Sequence, residues 1–325
     1  MAGQVFAYIR HKEGKADDSA RELIVAAAKI FPDASPTAIV TGAGSDLDAV
    51  CNEVAASYKE VWKFDNEALA YPNAEAIRKL LVNVLPQDSI VLIPHDTFGM
   101  DLGPGLSIKL DSVFVSDVVD FEGLEGDTLK VIRQEFSGQV STHSSCDLSA
   151  GAVIDIRPGV FQAEDSGSAA GGQVVDKSAD VGDIAVGRRF LELVEAEVGD
   201  VDITKEDVLV SVGRGIEDQD NIEIADELAE AMGAVVSCSR PIVDAKWLEK
   251  SRQVGTSGQT VKPKVYLALG ISGSFQHLGG LKGNPYIVAV NKNAKAPIFQ
   301  VADVGVVMDL LEFVPVLTEK IQESK

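Results

Sequence analysis

Four short polar segments in the last third of the chain could bind a ligand that carries phosphate or a flat polar ring. They are Gly213-Arg214-Gly215, Ser239-Arg240-Pro241, Gln253-Val254-Gly255-Thr256-Ser257-Gly258 and Gly270-Ile271-Ser272-Gly273-Ser274-Phe275-Gln276-His277. All but the third directly follow a short apolar run. Glycine lets a backbone approach a ligand closely, hydroxyl and amide groups bind the edge of a polar ring, and a guanidinium binds phosphate. The chain has no GxSxG, HExxH or P-loop motif, so these segments indicate binding and not a catalytic constellation.

Taken one at a time, these segments leave the ligand open. The first begins like a dinucleotide fingerprint but has Asp218 where the third glycine would stand, so it also fits a tight turn. Arg240 occupies the place where an NAD-binding domain holds an acidic residue, which counts against NAD and leaves NADP, another phosphate or a cofactor that takes negative charge. Alternatively, Arg240 is a surface residue that forms a salt bridge, and His277 is a packed residue in the first turn of a short helix.

Length and composition indicate a folded protein of two domains. The chain has 325 residues, 46% of them hydrophobic, which is enough for two packed cores. No apolar run reaches the roughly 18 residues that a membrane span needs, and the start of the sequence resembles neither a signal peptide nor a transit helix. These features predict a cytoplasmic protein.

The distribution of charge narrows the classes of ligand. The net charge is −21; residues 1–204 hold 16 Lys and Arg against 34 Asp and Glu, whereas residues 205–325 hold 13 against 16. An acidic surface repels nucleic acid and anionic membranes, and the nearly balanced last third accepts a phosphate-bearing cofactor more easily. The three cysteines have no CxxC spacing, so we expect reduced thiols and no metal site.

The elements that must position the four segments follow an alternating pattern. In the first part of the chain the predicted strands are Val5–Ile9, Thr37–Thr41, Val61–Phe64 and Ser89–Pro94, and the predicted helices are Arg21–Ile30, Leu47–Ala56 and Ala74–Val84. This alternation is typical of a parallel sheet with helical crossovers.

From about residue 113 the pattern changes to closely spaced strands, which predicts an antiparallel or mixed extension of the sheet. These strands are Val118–Phe121, Thr128–Phe136, Gly138–Thr142 and Ala152–Ile156. Residues 162–182 are rich in small and polar residues and predict a loop and linker.

The alternation returns after Asp207 and predicts a second, doubly wound parallel sheet. Its predicted strands are Val208–Val212, Ala234–Cys238, Val265–Leu269, Tyr286–Val290 and Ile298–Val301. The predicted helices are Asn221–Met232, a short one that begins at Ser274, and Val304–Phe313. The fold class is therefore α/β with two domains: an N-terminal α/β domain at residues 1–190, a linker at 191–206 and a C-terminal domain at 207–325. We expect the four polar segments to lie at the ends of these strands, where open parallel sheets bind ligands.

The order of the motifs resembles one known family. GRGI, SRPI, QVGTSG with VKP, GISGSFQH, AVNK and APIFQVAD follow one another as in the FAD domain of the electron transfer flavoprotein alpha subunit, over residues 208–318. The N-terminal part resembles that family in its alternating pattern and in the segment Ile156–Phe161 (IRPGVF). The resemblance implies FAD as the cofactor and an electron carrier that is not itself an enzyme.

The resemblance also implies the residues that contact FAD. They are Arg214, Ser239, Arg240, Val254, Gly255, Thr256, Ser257, Ser272, Gly273, Ser274, Phe275, Gln276, His277, Asn291, Asp309 and Leu310. In the family a hydroxyl at the position of Ser257 binds flavin N5, the arginine at Arg240 lies over or beside the isoalloxazine, and the histidine at His277 lies near the C2 carbonyl. Many members have Gln-Thr where this chain has Thr256-Ser257, so the hydroxyl is kept and the preceding amide is lost. A guanidinium and a histidine there would stabilise the negative charge that reduction adds to the ring.

As for partners, the resemblance implies a heterodimer in which residues 1–190 pack on a beta subunit. It implies electron donors among the flavin dehydrogenases, such as the acyl-CoA dehydrogenases of fatty acid beta-oxidation, and a quinone-reductase or ferredoxin-type acceptor. Whether the complex bifurcates electrons stays open. Two other classes of function remain as alternatives: an NADP- or nucleotide-dependent enzyme, and a structural or adenine-nucleotide-sensing α/β module.

Overall fold

Two separate sheets organise the residues that the structure describes. A nine-stranded sheet lies in residues 1–192, and a five-stranded sheet lies in residues 193–325. The structure is a computed structural model that describes residues 4–136, 140–161, 171–192 and 201–324. The predicted boundaries at 190 and 207 stay a prediction, because much of the predicted linker, residues 193–200, lies outside the described ranges.

Residues 1–192, which we call the first unit, combine eleven strands and four helices within their described part. In chain order these are β1 (Val5–Tyr8), β2 (His11–Lys12), β3 (Lys15–Ala16), α1 (Ser19–Ile30), β4 (Thr37–Gly42), α2 (Ser45–Ala55), β5 (Glu60–Asp65), α3 (Ala74–Val84), β6 (Ile90–Pro94), α4 (Thr97–Leu110), β7 (Val113–Glu125), β8 (Thr128–Glu135), β9 (Val140–Asp147), β10 (Ala152–Ile156) and β11 (Gln173–Asp176).

The large sheet of the first unit is parallel over most of its width. Its strand order is β11-β5-β4-β1-β6-β10-β7-β8-β9, and every pair from β11 to β7 is parallel, whereas β8 and β9 add on antiparallel. The central strands β6 and β10 are buried along their whole length, as expected for parallel strands covered on both faces. The predicted parallel sheet with an antiparallel extension is therefore confirmed.

Two elements of the first unit differ from the sequence prediction. The pattern between residues 95 and 112 predicts no helix, yet α4 forms there although it contains Pro104 and several glycines. Asp96 accepts a hydrogen bond from the backbone of Gly99 at its start, and Leu102 and Leu106 are fully buried, so packing and capping outweigh the low helix propensity. The predicted loop at 162–182 is wrong for Gln173–Asp176, which pairs with the edge of the sheet; residues 162–170 lie outside the described ranges.

Residues 193–325, the second unit, contain five strands and four helices within their described part. In chain order these are β12 (Val208–Val212), α5 (Ile222–Met232), β13 (Val235–Cys238), α6 (Arg240–Asp244), β14 (Val265–Leu269), α7 (Phe275–Leu278), β15 (Tyr286–Val290), β16 (Val304–Val306) and α8 (Leu310–Glu323).

All five strands of the second unit are parallel, in the order β13-β12-β14-β15-β16. One face packs against helices α5 and α8, with Val210 and Leu267 among the buried residues of that core. The other face carries Tyr266 and Ala268 and is covered by Val254, Val261 and other residues of irregular segments. The sequence prediction of an α/β protein with a second, parallel sheet is confirmed.

The end of the second unit corrects two predicted elements. Ile298–Val301 is not a strand: Pro297–Gln300 form a turn of 3-10 helix that begins at a proline, whose fixed φ suits a first helical residue. The fifth strand is Val304–Val306, inside the segment predicted as a helix. The helix α8 begins only after Asp309, whose carboxylate accepts from the Leu311 backbone, and it continues past Pro315 to Glu323.

Candidate functional site

The four polar segments all lie at the carboxyl ends of strands in the second unit. The first strand of this unit, β12, lies beside both β13 and β14, and the chain runs outward from it in both directions. The crevice between the carboxyl ends of β12 and β14 is therefore the topological switch point, where open parallel sheets bind ligands. The predicted site residues follow the strands that surround this point.

Three glycines form the floor of this crevice. Gly213 and Gly215 follow β12, Gly270 follows β14, and the Gly215 amide donates to the Gly270 carbonyl over 3.1 Å. A methyl group added at Gly213 would lie 2.5 Å from the Gly270 oxygen, and one added at Gly215 would lie 2.7 Å from the Gly270 Cα. No side chain fits at these positions, so a ligand at the floor meets backbone.

Two arginines lie at the carboxyl edge of this sheet, one after β12 and one after β13. Arg214 begins a 3-10 turn directly after β12 and is exposed. Arg240 is the first residue of α6, after the buried Ser239, and its Nε lies 3.3 Å from an Asp244 carboxylate oxygen. The side chain of Arg240 is 69% exposed, so this ion pair is weak and leaves the guanidinium free to bind an anion.

The segment from Gln253 to Gly258 forms an ordered polar loop. The Val254 amide donates to the Cys238 carbonyl over 2.9 Å, which attaches the loop to the end of β13. Gln253 is buried, and its side-chain amide donates to the Ser257 hydroxyl over 2.9 Å. Thr256 and Ser257 are exposed. The loop therefore presents two hydroxyl groups to solvent on a fixed backbone.

The segment around α7 holds this loop in place. The Thr256 amide donates to the Gln276 carbonyl over 2.8 Å, and the Val261 amide donates to the Gly280 carbonyl over 2.8 Å. Ser272, Ser274 and the predicted contacts Phe275 and Gln276 are exposed. The third and fourth predicted segments, 253–258 and 270–277, thus form one continuous surface.

His277 differs from its predicted neighbours because it is buried. Its Nε2 lies 2.7 Å from the Tyr266 phenol, and its Nδ1 makes no hydrogen bond of normal geometry to a described group. Burial lowers the pKa of His277 to about 4, against a smaller opposite effect of the Val254 carbonyl. The imidazole is therefore neutral at physiological pH, so any stabilisation of negative charge on a bound ring by His277 would come from a hydrogen bond and not from a net charge.

The remaining predicted contacts lie at the ends of β15 and β16. Asn291 donates from its side chain to the Ile271 carbonyl over 2.9 Å, which ties the strand end to the loop after β14. Asp309 caps α8 through its carboxylate, and Leu310 is buried beneath Gly270. These three residues shape the crevice from below and from one side.

The comparisons with known proteins agree with this arrangement. The profile of the Electron transfer flavoprotein FAD-binding domain matches residues 202–282, and that of the Electron transfer flavoprotein domain matches residues 5–181. The chain is 35% identical, over 78% of its length and 76% of the relative's, to the electron transfer flavoprotein subunit alpha of Thermoanaerobacterium thermosaccharolyticum. It is 32% identical to the subunit alpha of Megasphaera elsdenii (87% of this chain, 85% of the relative) and 31% identical to the acryloyl-CoA reductase electron transfer subunit beta of Anaerotignum propionicum (99% and 96%).

The chain belongs to the electron transfer flavoprotein alpha-subunit family. Its second unit contains the FAD-binding domain of that family, so the predicted cofactor and the predicted family are confirmed. Among the helices of the described ranges, none is long and apolar enough to cross a bilayer. The same ranges contain no group of three or more His, Cys, Asp or Glu that could hold a metal ion.

The residues of this flavoprotein crevice fit FAD. Gly213, Gly215 and Gly270 put backbone and no side chain at the strand ends, and the exposed guanidinium of Arg214 suits a phosphate of the cofactor. The exposed hydroxyls of Thr256 and Ser257 suit the polar edge of a flavin ring. Bound FAD would supply an electron-accepting ring, and the chain supplies the groups that hold it.

Sequence reasoning missed two residues that organise the flavoprotein site. Gln253 lies in the third polar segment but is not among the predicted FAD contacts. Tyr266 lies in the predicted strand Val265–Leu269, for which no contact with the cofactor is predicted. Gln253 orients Ser257, and Tyr266 binds His277. A glutamine four residues before the hydroxyl could have suggested the first contact; the second depends on how α7 packs on the sheet and has no local signal.

A second group of charged side chains lies in the first unit, at the carboxyl ends of β6 and β10. Arg157 binds the Asp117 carboxylate with two nitrogens, the Nε over 2.7 Å. His95 Nδ1 lies 3.4 Å from the carboxylate of Asp155, which is fully buried. Burial raises the pKa of Asp155 to about 6, against the smaller opposite effect of His95. Arg157 is part of the family-like segment 156–161, and its pair with Asp117 connects β7 to the end of β10.

Proposed function

We propose that this chain carries FAD at the carboxyl edge of its second sheet and works as the electron-carrying subunit of a heterodimer with a beta subunit. The observation that carries the proposal is the fixed loop of Gln253 to Gly258, which α7 holds at the switch point with the Ser257 hydroxyl exposed. A carrier needs a held ring and tuned electrostatics, and it needs no general base or nucleophile of its own.

We propose that the charged and polar side chains of this edge have distinct roles. Arg214 and Arg240 would hold or face the negatively charged parts of the cofactor, since a guanidinium stays protonated at any working pH. Ser257 would bind the ring at N5, and the backbone after β14, from Ser272 to His277, would lie along the cofactor. Asn291, Asp309 and Leu310 would complete the wall, and Ser239, Val254, Gly255 and Thr256 would complete the contact surface.

His277 has a narrower role in this proposal than the sequence suggested. A neutral imidazole near the C2 carbonyl can donate one hydrogen bond but adds no net positive charge. The fixed positive potential at the edge would then come from the two arginines. Arg240 is the stronger candidate, because it follows β13 next to the loop that carries Ser257.

The partners of the heterodimer are part of the same proposal. Residues 1–190 would pack on the beta subunit, electrons would come from flavin dehydrogenases such as acyl-CoA dehydrogenases, and a quinone-reductase or ferredoxin-type protein would accept them. A relative whose name contains acryloyl-CoA reductase supports a partner that acts on acyl-CoA thioesters, and because a reductase takes electrons from its carrier, that partner would be an acceptor. A cytoplasmic location, a role in fatty acid beta-oxidation and a place in an electron-bifurcating complex belong to the proposal as well.

The test is co-expression of this chain with its beta subunit, compared with the chain alone. We expect a yellow complex that releases FAD on denaturation and is reduced by an acyl-CoA dehydrogenase with its substrate. We expect the chain alone to bind FAD weakly or to aggregate. A colourless complex that binds NADP or an adenylate would instead support the enzyme or sensor alternatives, and a fully flavinylated monomer would contradict the need for the partner.

A further inference from the structure

The buried contact between Tyr266 and His277 lies directly under the proposed flavin surface. Tyr266 is 0% exposed and His277 is 5% exposed. Their hydrogen bond measures 2.7 Å between the Tyr266 Oη and the His277 Nε2. Tyr266 is on the sheet, and His277 is in α7, whose Gln276 holds the loop of Thr256. The contact thus joins the sheet to the segment that positions the loop.

The direction of this hydrogen bond follows from the two groups that make it. Burial raises the pKa of Tyr266 far above its ordinary value, so the phenol keeps its hydrogen. A phenol is a stronger donor than a neutral imidazole N–H, and an imidazole nitrogen is a stronger acceptor than a phenol oxygen, so Tyr266 donates and Nε2 accepts. A neutral imidazole carries one hydrogen, which is then on Nδ1, and this nitrogen has no hydrogen-bond partner among the described groups.

We propose that Tyr266 is a positioning residue of the flavin site: its phenol fixes His277 in the tautomer protonated at Nδ1, so that His277 meets a bound flavin as a neutral hydrogen-bond donor. The inference rests on the proposed function, because that function places the flavin beside His277. The tautomer itself belongs to the protein without cofactor and is independent of that placement. It is set by a residue that cannot touch the ligand, since Tyr266 is buried beneath the site.

The experiment is nitrogen-15 NMR of histidine-labelled protein in complex with its beta subunit, before and after FAD is removed. The four histidines are assigned with the His277→Gln variant. We expect His277 to show a protonated, pyrrole-like Nδ1 and an unprotonated, pyridine-like Nε2 in the cofactor-free parent. In Tyr266→Phe, which keeps the ring and removes the hydroxyl, we expect the two nitrogens to exchange character or to average.

A matched control is Tyr286→Phe, which removes the hydroxyl of a half-exposed tyrosine in the neighbouring strand. We expect its His277 signals to equal those of the parent. FAD titration gives the second reading: Tyr266→Phe should weaken binding by no more than about tenfold, the size of one hydrogen bond, while the flavin potential shifts.

Two results would overturn the inference. One is a parent in which Nε2 carries the hydrogen, and the other is a Tyr266→Phe variant with the parent's tautomer. If instead the proposed function is wrong, the NMR spectra would still show the expected tautomer of His277, but the complex would bind no FAD.

Discussion

Gln253 holds the hydroxyl of Ser257 through a hydrogen bond of 2.9 Å in which the glutamine side chain is the donor. Gln253 is 3% exposed and Ser257 is exposed, so a buried group orients a group on the surface. Because the serine oxygen accepts from Gln253, its own hydrogen points elsewhere and can be donated. A hydroxyl aimed in this way suits an acceptor atom such as the N5 of an oxidised flavin.

Ser257→Ala tests this hydroxyl directly. We expect the variant to keep its FAD and to change the flavin potentials, because one hydrogen bond is worth on the order of 1 kcal/mol, or roughly 20 mV for two electrons. Ser257→Thr keeps the hydroxyl and should be nearly silent. The measurement is a reductive titration against a reference dye. Unchanged potentials in the alanine variant would remove Ser257 from the flavin edge.

Gln253→Leu tests whether the glutamine acts through Ser257. We expect a potential shift in the same direction as in Ser257→Ala but smaller, because the hydroxyl remains and only loses its orientation. In the double variant the glutamine change should add nothing to the alanine change, since the two residues share one hydrogen bond. Additive shifts in this double-mutant cycle would show that Gln253 acts on the flavin by another route.

Arg240→Ala should lower the first reduction potential of the flavin, because a fixed positive charge favours the negative charge that reduction adds. The side chain is 69% exposed, so water screens it, and we expect an effect of about 1 kcal/mol, well below the roughly 4 kcal/mol of an unscreened pair at 4 Å. Arg240→Lys should lie between the parent and the alanine variant.

The control for Arg240 is Lys320→Ala, which removes an exposed cation that also has an acidic neighbour within one helical turn, but on α8. Its flavin potentials should equal those of the parent. If Arg240→Ala behaves like this control, Arg240 is a surface salt-bridge residue and its assigned role is wrong.

Gly273→Ala should destabilise the second unit strongly. Gly273 has φ +82°, and a methyl group there would overlap the backbone of Ile298. We expect a loss of about 3 kcal/mol or more in the free energy of unfolding, together with weaker FAD binding. Gly233→Ala is the matched control, because Gly233 has φ +65° but open space around it, so only backbone strain of about 1–2 kcal/mol applies. Equal losses in urea unfolding would contradict the packing argument.

Asp155→Asn should stabilise the first unit at neutral pH. The folded pKa is raised to about 6 from the ordinary 3.8, so the folded state binds the proton more tightly and ionisation above pH 6 costs free energy, at most about 3 kcal/mol. The groups that face the carboxylate are His95, Asp96 and Asp117. The advantage of the asparagine should shrink as the pH falls from 6 and vanish below about 4.

Urea unfolding at pH 4, 5, 6 and 7.5 measures this advantage. The control is Asp33→Asn at an exposed carboxylate, for which we expect no such trend. An Asp155→Asn variant that is less stable than the parent at pH 7.5 would show that the charge pair with His95 outweighs burial.

The parts of the fold that the sequence predicts well are those where local pattern and tertiary packing agree. β12, β14 and β15 have the predicted bounds, since each is a short β-branched or apolar run ended by glycine or a polar residue. The pattern does not predict α4 because its glycines and Pro104 lower helix propensity, and burial of Leu102 and Leu106 together with the Asp96 cap compensates for this. β16 was mistaken for helix because three residues are too short for a period to show.

The site shows the same division between local and tertiary information. The order of the polar segments along the chain, and their place after the strands, could be predicted because the carboxyl ends of parallel strands share one edge. The burial of His277, and hence its neutral form, could not, because it depends on Tyr266 and on how the loop at Val254 covers the sheet. The protonation state of His277 therefore depends on tertiary packing, which the local sequence pattern does not show.

The glycine floor of the crevice has a consequence for how the site can change. Gly213, Gly215 and Gly270 leave no room for a side chain, so no acid, base or thiol can arise there by a single substitution without displacing backbone. Any side chain that acts on a bound cofactor must therefore come from the walls and the rim. Substitutions that alter the properties of the cofactor are expected at those positions, while the floor keeps its glycines.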